Sequence, residues 1–353
     1  MNAQWQDFLV KEGAELQDGI VAHFGNPAQE CAVAAAGNVM VDLSHQGLIG
    51  IEGADAATFL QGQVTCDIRE IGPNVSRLGA WCNPKGRVRV TFRVFQREEG
   101  FYLAVPVDCV EDTLKQLRKY VLRSKVALRD ASCERIRLGC SGATIEERLR
   151  QFFPIIPGES DQVVQEGSST IIRLRGPLSR FEIFGEIGTM VKLWDTLRVH
   201  TAAIGAGAWS TLEVLSGVAV VTHATSEAFV PHMLNLPEIG AVNFRKGCYT
   251  GQEVVARTQY LGKSKRRLYL ARIAGEKSPR LGDPLWVPPE GEEQTPGQVV
   301  NIAPAPEGGF LVLAVIAVAD VRRGEIYLRD CTGPLLELRA LPYPFLEERD
   351  GPL

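Results

Sequence analysis

The sequence predicts an α+β fold in three parts: two α+β units, each an antiparallel sheet with helices on one face, then a small β-barrel. Three observations carry this reading. The chain has 353 residues, too many for one ordinary core. Strand and helix patterns recur in two similar runs before residue 265. Beyond that point helix signals nearly vanish, and short strands between Gly and Pro turns take over. The boundaries expected are 1–135, 136–264 and 265–353.

Residues 1–35 read as a helix with an Ala-rich continuation, loosely held. Next, VDLSHQGLIGIEG has β character around Leu48 to Ile51. DAATFLQGQVT is expected to be helical, with Ala57, Leu60, Gln61 and Val64 on one face and Asp55 as N-cap. Asn83-Pro84-Lys85-Gly86 is a turn. Val88, Val90, Phe92 and Val94 then alternate with polar residues as a strand. An amphipathic helix over 108–122 shows Val110, Leu114, Leu117 and Val121, and KVALRD follows as a strand.

The second unit repeats the theme. RIRLGCSG is a strand, ATIEERLRQFF a helix, STIIRLR and SRFEIFG strands, and GTMVKLWDTLRVH a helix. TLEVLSG reads as a strand. In the third part the strands are RRLYLARI, DPLWV, GQVVNIA, GGFLVLAVIAV and GEIYLRD. Pro279, Pro284, Pro288, Pro289 and Pro296 argue against long central strands there. The ending LPYPFLEERDGPL reads as a tie-down followed by a frayed tail.

Composition narrows the function classes. The formal net charge is −4. With no nucleic-acid motif in view, that argues against direct nucleic-acid binding, although a local basic patch remains open. No apolar run reaches membrane-spanning length, and the N-terminus carries acids early without an apolar signal core, so the cytoplasm is the expected location. Eight cysteines are scattered without a CxxC pair, and five histidines show no ligand spacing. Neither a disulfide framework nor a metal site is expected.

One stretch stands apart: FRKGCYTGQEVVART, residues 244–258. It supports two readings. In the first, Thr250 and Glu253 form a capping box, Gly247 and Gly251 allow tight backbone, Gly262 ends the helix, and no ligand is needed. In the second, Cys248 lies just before a helix N-terminus beside Arg245 and Lys246. Such surroundings favour a thiolate, able to attack an electrophile or to ligate a soft metal. Gln252 and Arg257 would assist. One cysteine cannot hold a whole iron–sulfur cluster, so any such role would be transient or shared.

The string Lys246-Gly247-Cys248-Tyr249-Thr250-Gly251-Gln252-Glu253, followed by Val255-Ala256-Arg257, closely resembles the signature of the YgfZ family. Phe59 to Thr65, Asn83 to Arg87, Phe229-Val230-Pro231, Asn235-Leu236, Lys265-Arg266 and Leu341-Pro342-Tyr343 match in order. The family comprises folate-binding proteins implicated in iron–sulfur protein maturation and bacterial tRNA modification. It is related to the aminomethyltransferase T-protein of the glycine cleavage system. The resemblance implies two ferredoxin-like domains and a C-terminal barrel around a central folate site, with tetrahydrofolate or a derivative as ligand. It also implies Trp209 and Glu182 as folate contacts, and Cys248 as the reactive group, supported by Lys246, Gly247, Tyr249, Gly251, Gln252, Glu253 and Arg257. The chain departs from the pattern twice. No tryptophan stands near Gln46, and the strand after Gly86 (Arg87-Val88-Arg89-Val90-Thr91) lacks the carboxylates of the T-protein.

The expected role is therefore a folate-dependent accessory factor for iron–sulfur proteins, with indirect effects on tRNA modification. Its partners would be folate and iron–sulfur proteins or assembly factors, with no membrane, and a monomer is favoured. The alternatives are a tetrahydrofolate-dependent aminomethyltransferase, disfavoured by the missing aspartate, and an interaction protein with a vestigial folate pocket.

Overall fold

The computed structural model describes residues 1–98, 100–262, 264–288 and 297–345. The chain divides into two compact units. The first comprises residues 1–61, 67–78 and 92–212; the second comprises 62–66, 79–91 and 213–353.

The first unit is built on a six-stranded sheet. Its strands run in the order Val163–Glu166, Ser169–Leu174, Arg180–Gly185, Ile136–Ser141, Val39–Asp42 and Ala202–Ile204. All neighbours are antiparallel except the last pair. Strand alternation sends Ile136, Leu138, Cys140, Phe181, Ile183 and Met40 to one face. There they form a core with Trp5, Leu9, Ile145, Leu149, Met190, Leu193 and Trp194 from three helices. The opposite face carries Arg137, Gly139, Ser141, Arg180 and Glu182, all buried. One side of this sheet is thus ordinary core; on the other, these buried polar residues form a seam alongside apolar clusters around Trp209 and Phe184.

A second set of strands in this unit pairs Gln46–Glu52 with Gly100–Pro106 and with Ala127–Asp130, both antiparallel. The amphipathic helix spans Val110–Arg118 and buries Val110, Leu114 and Leu117, as its spacing predicts.

The N-terminus departs from expectation. Residues 1–35 form two helices, Ala3–Lys11 and Pro27–Ala36, separated by the hairpin Glu15–Gln17/Ile20–His23. Asp18 and Gly19 take positive φ (52° and 76°), as a tight hairpin turn requires. The segment is firmly held. Trp5 is fully buried and its indole Nε1 donates to Asp42 Oδ1 at 2.8 Å. Glu30 accepts from the backbone N–H of Phe24 at 2.6 Å and of Gly205 at 2.8 Å.

Two further differences touch the site. The helix expected across 55–65 spans Ala56–Gln61 only. From Gly62 the chain leaves the helix, and Val64 forms a bridge to Trp81. Asp55 directly precedes that helix, and its Oδ2 accepts from the N–H of Lys125 at 2.7 Å. TLEVLSG is not a strand, because Trp209 to Leu215 belong to the helix Ala206–Leu215.

In the second unit, the C-terminal strands form a four-stranded sheet in the order Gln298–Pro304, Phe310–Ala317, Arg266–Ile273 and Leu336–Arg339. A separate ribbon pairs Leu285–Trp286 with Leu328 and Tyr327. Ala271, Ile273, Leu285, Val299, Val312, Ile316 and Leu328 share one core. Among the described residues the strand ladders form no closed ring, and isolated bridges tie the ribbon to either end of the sheet order: Pro284 to Gln298 on one side, and Tyr327 to Leu335, just before Leu336–Arg339, on the other. The interruption falls where Pro284 and Pro288 stand; Pro289 and Pro296 lie outside the described residues. The tie-down is present: Tyr343 donates its hydroxyl to the carbonyl of Gly217 at 2.7 Å. Residues 346–353, read as a tail, also lie outside the described residues.

Candidate functional site

The stretch around Cys248 is a loop leading into the helix Gln252–Leu261. Its geometry comes from a short segment far away in sequence, residues 62–66. The N–H of Asn243 donates to the carbonyl of Thr65 at 2.9 Å, and the N–H of Thr250 to that of Gly62 at 3.3 Å. Between these ends, Lys246 folds inward. Its Nζ donates to the carbonyls of Val64 at 2.6 Å and Cys66 at 2.7 Å, and lies 5.2 Å from the ring centre of Tyr249. Thr65 completes the lock: its hydroxyl donates to the carbonyl of Ala241 at 2.7 Å and accepts from the N–H of Ala80 at 2.8 Å.

The Asn83–Gly86 turn supports the other side. The N–H of Gly86 donates to the carbonyl of Asn83 at 2.9 Å, and Asn83 Oδ1 accepts from the N–H groups of Lys85 and Arg87. Gly251 sits in the left-handed region (φ 83°), and a Cβ there would meet the carbonyl of Asn83 at 2.5 Å. Gly86 is equally constrained, since its Cβ would lie 2.8 Å from Cβ of Val254. These two glycines let the turn and the helix start touch backbone to backbone.

The expected capping box does not form. The N-cap is Gly251, with no side-chain cap hydrogen bond. Thr250 instead points toward Gln63, 3.5 Å from its Oε1, and Glu253 is exposed. The reason is positional: Thr250 is already held by Gly62, and only glycine fits at 251.

Within this frame the motif residues divide. Lys246 and Tyr249 are buried, and burial beside Cys82 pushes the Tyr249 hydroxyl above its ordinary range. Gln252 is half-buried, while Gly247, Cys248, Glu253 and Arg257 are exposed. A Cβ at Gly247 would meet nothing within 4 Å, so the chain beside the thiol is open to approach. Lys246, expected to lend its charge to the thiol, has its ammonium committed to two carbonyls. The other cysteines provide contrast. Burial pushes the thiols of Cys82, Cys109 and Cys140 up to about 12, which leaves them unreactive at neutral pH. Cys133 and Cys331 share exposure with Cys248. Among the described residues, no group of three His, Cys, Asp or Glu is placed to hold a metal ion.

Arg87 and Arg89, on the strand without carboxylates, are tied to one loop. Arg87 Nη1 donates to the carbonyl of Ala228 at 2.7 Å. Arg89 pairs with Glu227 at 2.9 Å and stacks on Trp81 at 4.9 Å.

The two residues expected to contact folate lie in the first unit, on the polar seam of the six-stranded sheet. Glu182 is 3% exposed and its Oε1 accepts from Arg137 Nε. Arg137 Nη2 also donates to Gln46 Oε1 at 2.6 Å, and its guanidinium covers Phe184. Next to Gln46, His45 Nδ1 is buried with no hydrogen-bond partner. Burial, followed by the charge of Arg137, lowers the pKa of His45 to about 4, so the ring is neutral at pH 7. A buried carboxylate, a guanidinium, an amide and an unsatisfied imidazole nitrogen suit the donors and acceptors of a pterin edge. Trp209 is fully buried, with Arg180 over one face at 5.2 Å and Gly139 against its edge, so its ring offers no open face. Arg137 escaped the sequence reading. The available signal was an arginine at an alternating inward position of RIRLGCSG.

With this architecture in view, likeness to known proteins becomes informative. Residues 13–162 match the family model of the GCVT N-terminal domain. The solved structure of glycine cleavage system aminomethyltransferase T from Bartonella henselae superposes with a TM-score of 0.78, at 19% identity, over 98% of both chains. The protein therefore has the aminomethyltransferase T fold. Its sequence places it more closely. It is 33% identical over 322 residues to the tRNA-modifying protein YgfZ of Shigella boydii serotype 4 (strain Sb227), and equally to that of Escherichia coli (strain SE11). Each match covers 91% of this chain and 98% of the relative. The chain belongs to the YgfZ family.

Proposed function

We propose that this protein is a cytoplasmic, folate-binding accessory factor that supports tRNA modification by way of iron–sulfur proteins, with Cys248 as its working group. The observation that carries the reading is the exposed thiol on a loop locked by Lys246, Thr65 and the two glycines 86 and 251. Ordinary capping does not call for a cysteine there, nor for a buried lysine to fix the loop. In the polar seam, Glu182, Arg137, Gln46 and His45 would hold the pterin edge of a tetrahydrofolate, which supplies one-carbon chemistry when bound. Trp209 backs the seam without stacking on the ligand. The three sequence segments 1–135, 136–264 and 265–353, with two ferredoxin-like domains and a barrel, remain the domain scheme we favour.

The absence of a carboxylate in residues 86–91 disfavours an aminomethyltransferase, whose reacting amine needs charge stabilisation. Replacing Cys248 by Ala in a strain otherwise lacking the protein tests the thiol. Loss of tRNA modification and of cluster-enzyme activity, with folate binding kept, is expected. Full rescue by the alanine variant would remove the thiol from the mechanism. Calorimetry with tetrahydrofolate separately tests the ligand, and no detectable binding would leave only an interaction protein.

A further inference from the structure

The net charge of −4 conceals a segregated charge pattern. Residues 243–272 hold eight Lys or Arg and a single acid, Glu253. Residues 79–91 hold three more cations and no acid. Both segments belong to the second unit, and they touch where Gly86 packs on Gly251 and Val254. Some of these charges are spent internally. Lys246 is buried, Arg89 pairs with Glu227, and Arg272 pairs with Glu337 at 3.1 Å. Lys85, Arg87, Arg245 and Arg257 remain exposed around the Cys248 loop.

Aromatic rings lie among these cations. Tyr260 is 68% exposed, on the same side of its helix as Arg257, one turn away. Its ring meets the half-buried Phe244 at 6.1 Å, nearly perpendicular, and Phe244 adjoins Arg245. His232 supports the pair, 5.9 Å from Phe244 and bonded to Gln259 at 3.1 Å. An exposed tyrosine beside cations offers a flat stacking face next to positive charge.

We propose that this face binds single-stranded RNA, with bases stacking on Tyr260 and Phe244 and phosphates meeting Lys85, Arg87, Arg245 and Arg257. Cations interleaved with exposed rings are the arrangement that single strands select, because every unpaired base offers a π face. An acidic protein would be satisfied by the charges alone, and a duplex hides its bases from the rings. The inference builds on the proposed function only in placing RNA beside Cys248. It adds direct contact with RNA at the same loop to the indirect link through iron–sulfur proteins.

The test is fluorescence anisotropy of the full-length protein with a labelled single-stranded RNA oligonucleotide, without folate or iron, across a potassium chloride titration. Duplex RNA of the same length and polyglutamate are the competitors. Single-stranded RNA should bind tighter than duplex, and polyglutamate should not displace it. R245A/R257A should weaken binding at least about tenfold and flatten the salt slope by about 1.4, at about 0.7 per phosphate contact. Tyr260→Ala should weaken it at least about fivefold with the slope unchanged. Lys85→Glu, in the other segment, should weaken it independently. Each variant is compared at an unchanged melting temperature. Cys248→Ala should bind RNA normally while failing to rescue tRNA modification, which separates this inference from the thiol reading. No saturable binding, displacement by polyglutamate, equal binding to duplex, or well-folded variants that bind like the parent would overturn it.

Discussion

Replacing Lys246 by Met keeps the length of the buried stem and removes only the ammonium. Two charge-assisted hydrogen bonds are lost, to Val64 and Cys66, together with the contact to Tyr249. Each such bond contributes about 1.5–3 kcal/mol net, and the cation–π contact about 1–2 kcal/mol. Against this, the variant no longer buries a charge, which relieves a penalty of several kcal/mol. The balance is a net loss of about 2–4 kcal/mol. Because those carbonyls hold the 62–66 segment to the Cys248 loop, the loss should be local before it is global. Hydrogen exchange should show reduced protection at the amides of Asn243 and Thr250, which donate into that segment. In a background with Cys133 and Cys331 replaced by Ser, Cys248 should also react with a thiol reagent at an altered rate, since its loop is no longer held. If K246M melts within about 0.5 kcal/mol of the parent and leaves protection unchanged, Lys246 does not anchor the loop. The positional argument for Cys248 then falls with it.

Other consequences follow from the same contacts. Gly251→Ala forces a side chain into a left-handed position against the carbonyl of Asn83 and should cost about 2–4 kcal/mol in denaturant unfolding. Glu182→Gln leaves the buried Arg137 guanidinium without its carboxylate; a loss of about 3–5 kcal/mol is expected, along with weakened tetrahydrofolate binding by calorimetry. His45 has a folded pKa near 4 against 6.5 for the free side chain, so the unfolded chain binds the extra proton between those values. Stability should therefore be fully present above pH 6.5 and fall as pH drops toward 4, by at most about 3 kcal/mol from this group. His45→Gln should remove that component of the pH profile, and an unchanged profile would show the ring is not the source.

Regular elements with strong periodicity were legible in the sequence. The helix Val110–Arg118, the helix Ile187–Leu197 and the strands Ile136–Ser141 and Arg180–Gly185 fall where alternation and helical spacing put them. Misreadings arose where two signals competed. Asp18-Gly19 is a hairpin signal, but helical patterns at both ends of the N-terminal segment mask it. Trp209 to Leu215 is a short apolar run, for which strand and helix look alike without tertiary context. Thr250 and Glu253 had the spacing of a capping box, and only the contact of Gly251 with Asn83 shows why that box is not made. The anchoring role of Lys246 was not legible, because a lysine is exposed by default and its buried partners are main-chain carbonyls with no sequence signature.

Parts of the blocks that carried the family resemblance come together, with residues 241–243, in one structure. Gln63 to Thr65, Ala241 to Asn243 and the cysteine stretch are distant in sequence but bonded to one another in the second unit, and the Asn83 to Arg87 turn packs against the start of the helix. Most of those residues spend their polar groups on the backbone. Thr65 links two main-chain segments, Asn83 closes a turn, Lys246 bridges two carbonyls, and two glycines give up side chains so that backbones can meet. A stable fold does not need this many side chains devoted to one loop, since surface loops tolerate variation at small cost. The investment makes sense if the position of what the loop displays must be fixed. What it displays is Cys248, with open space beside Gly247 and exposed cations and rings around it. Chemistry and recognition are thus concentrated in the few residues of the motif that the frame leaves uncommitted.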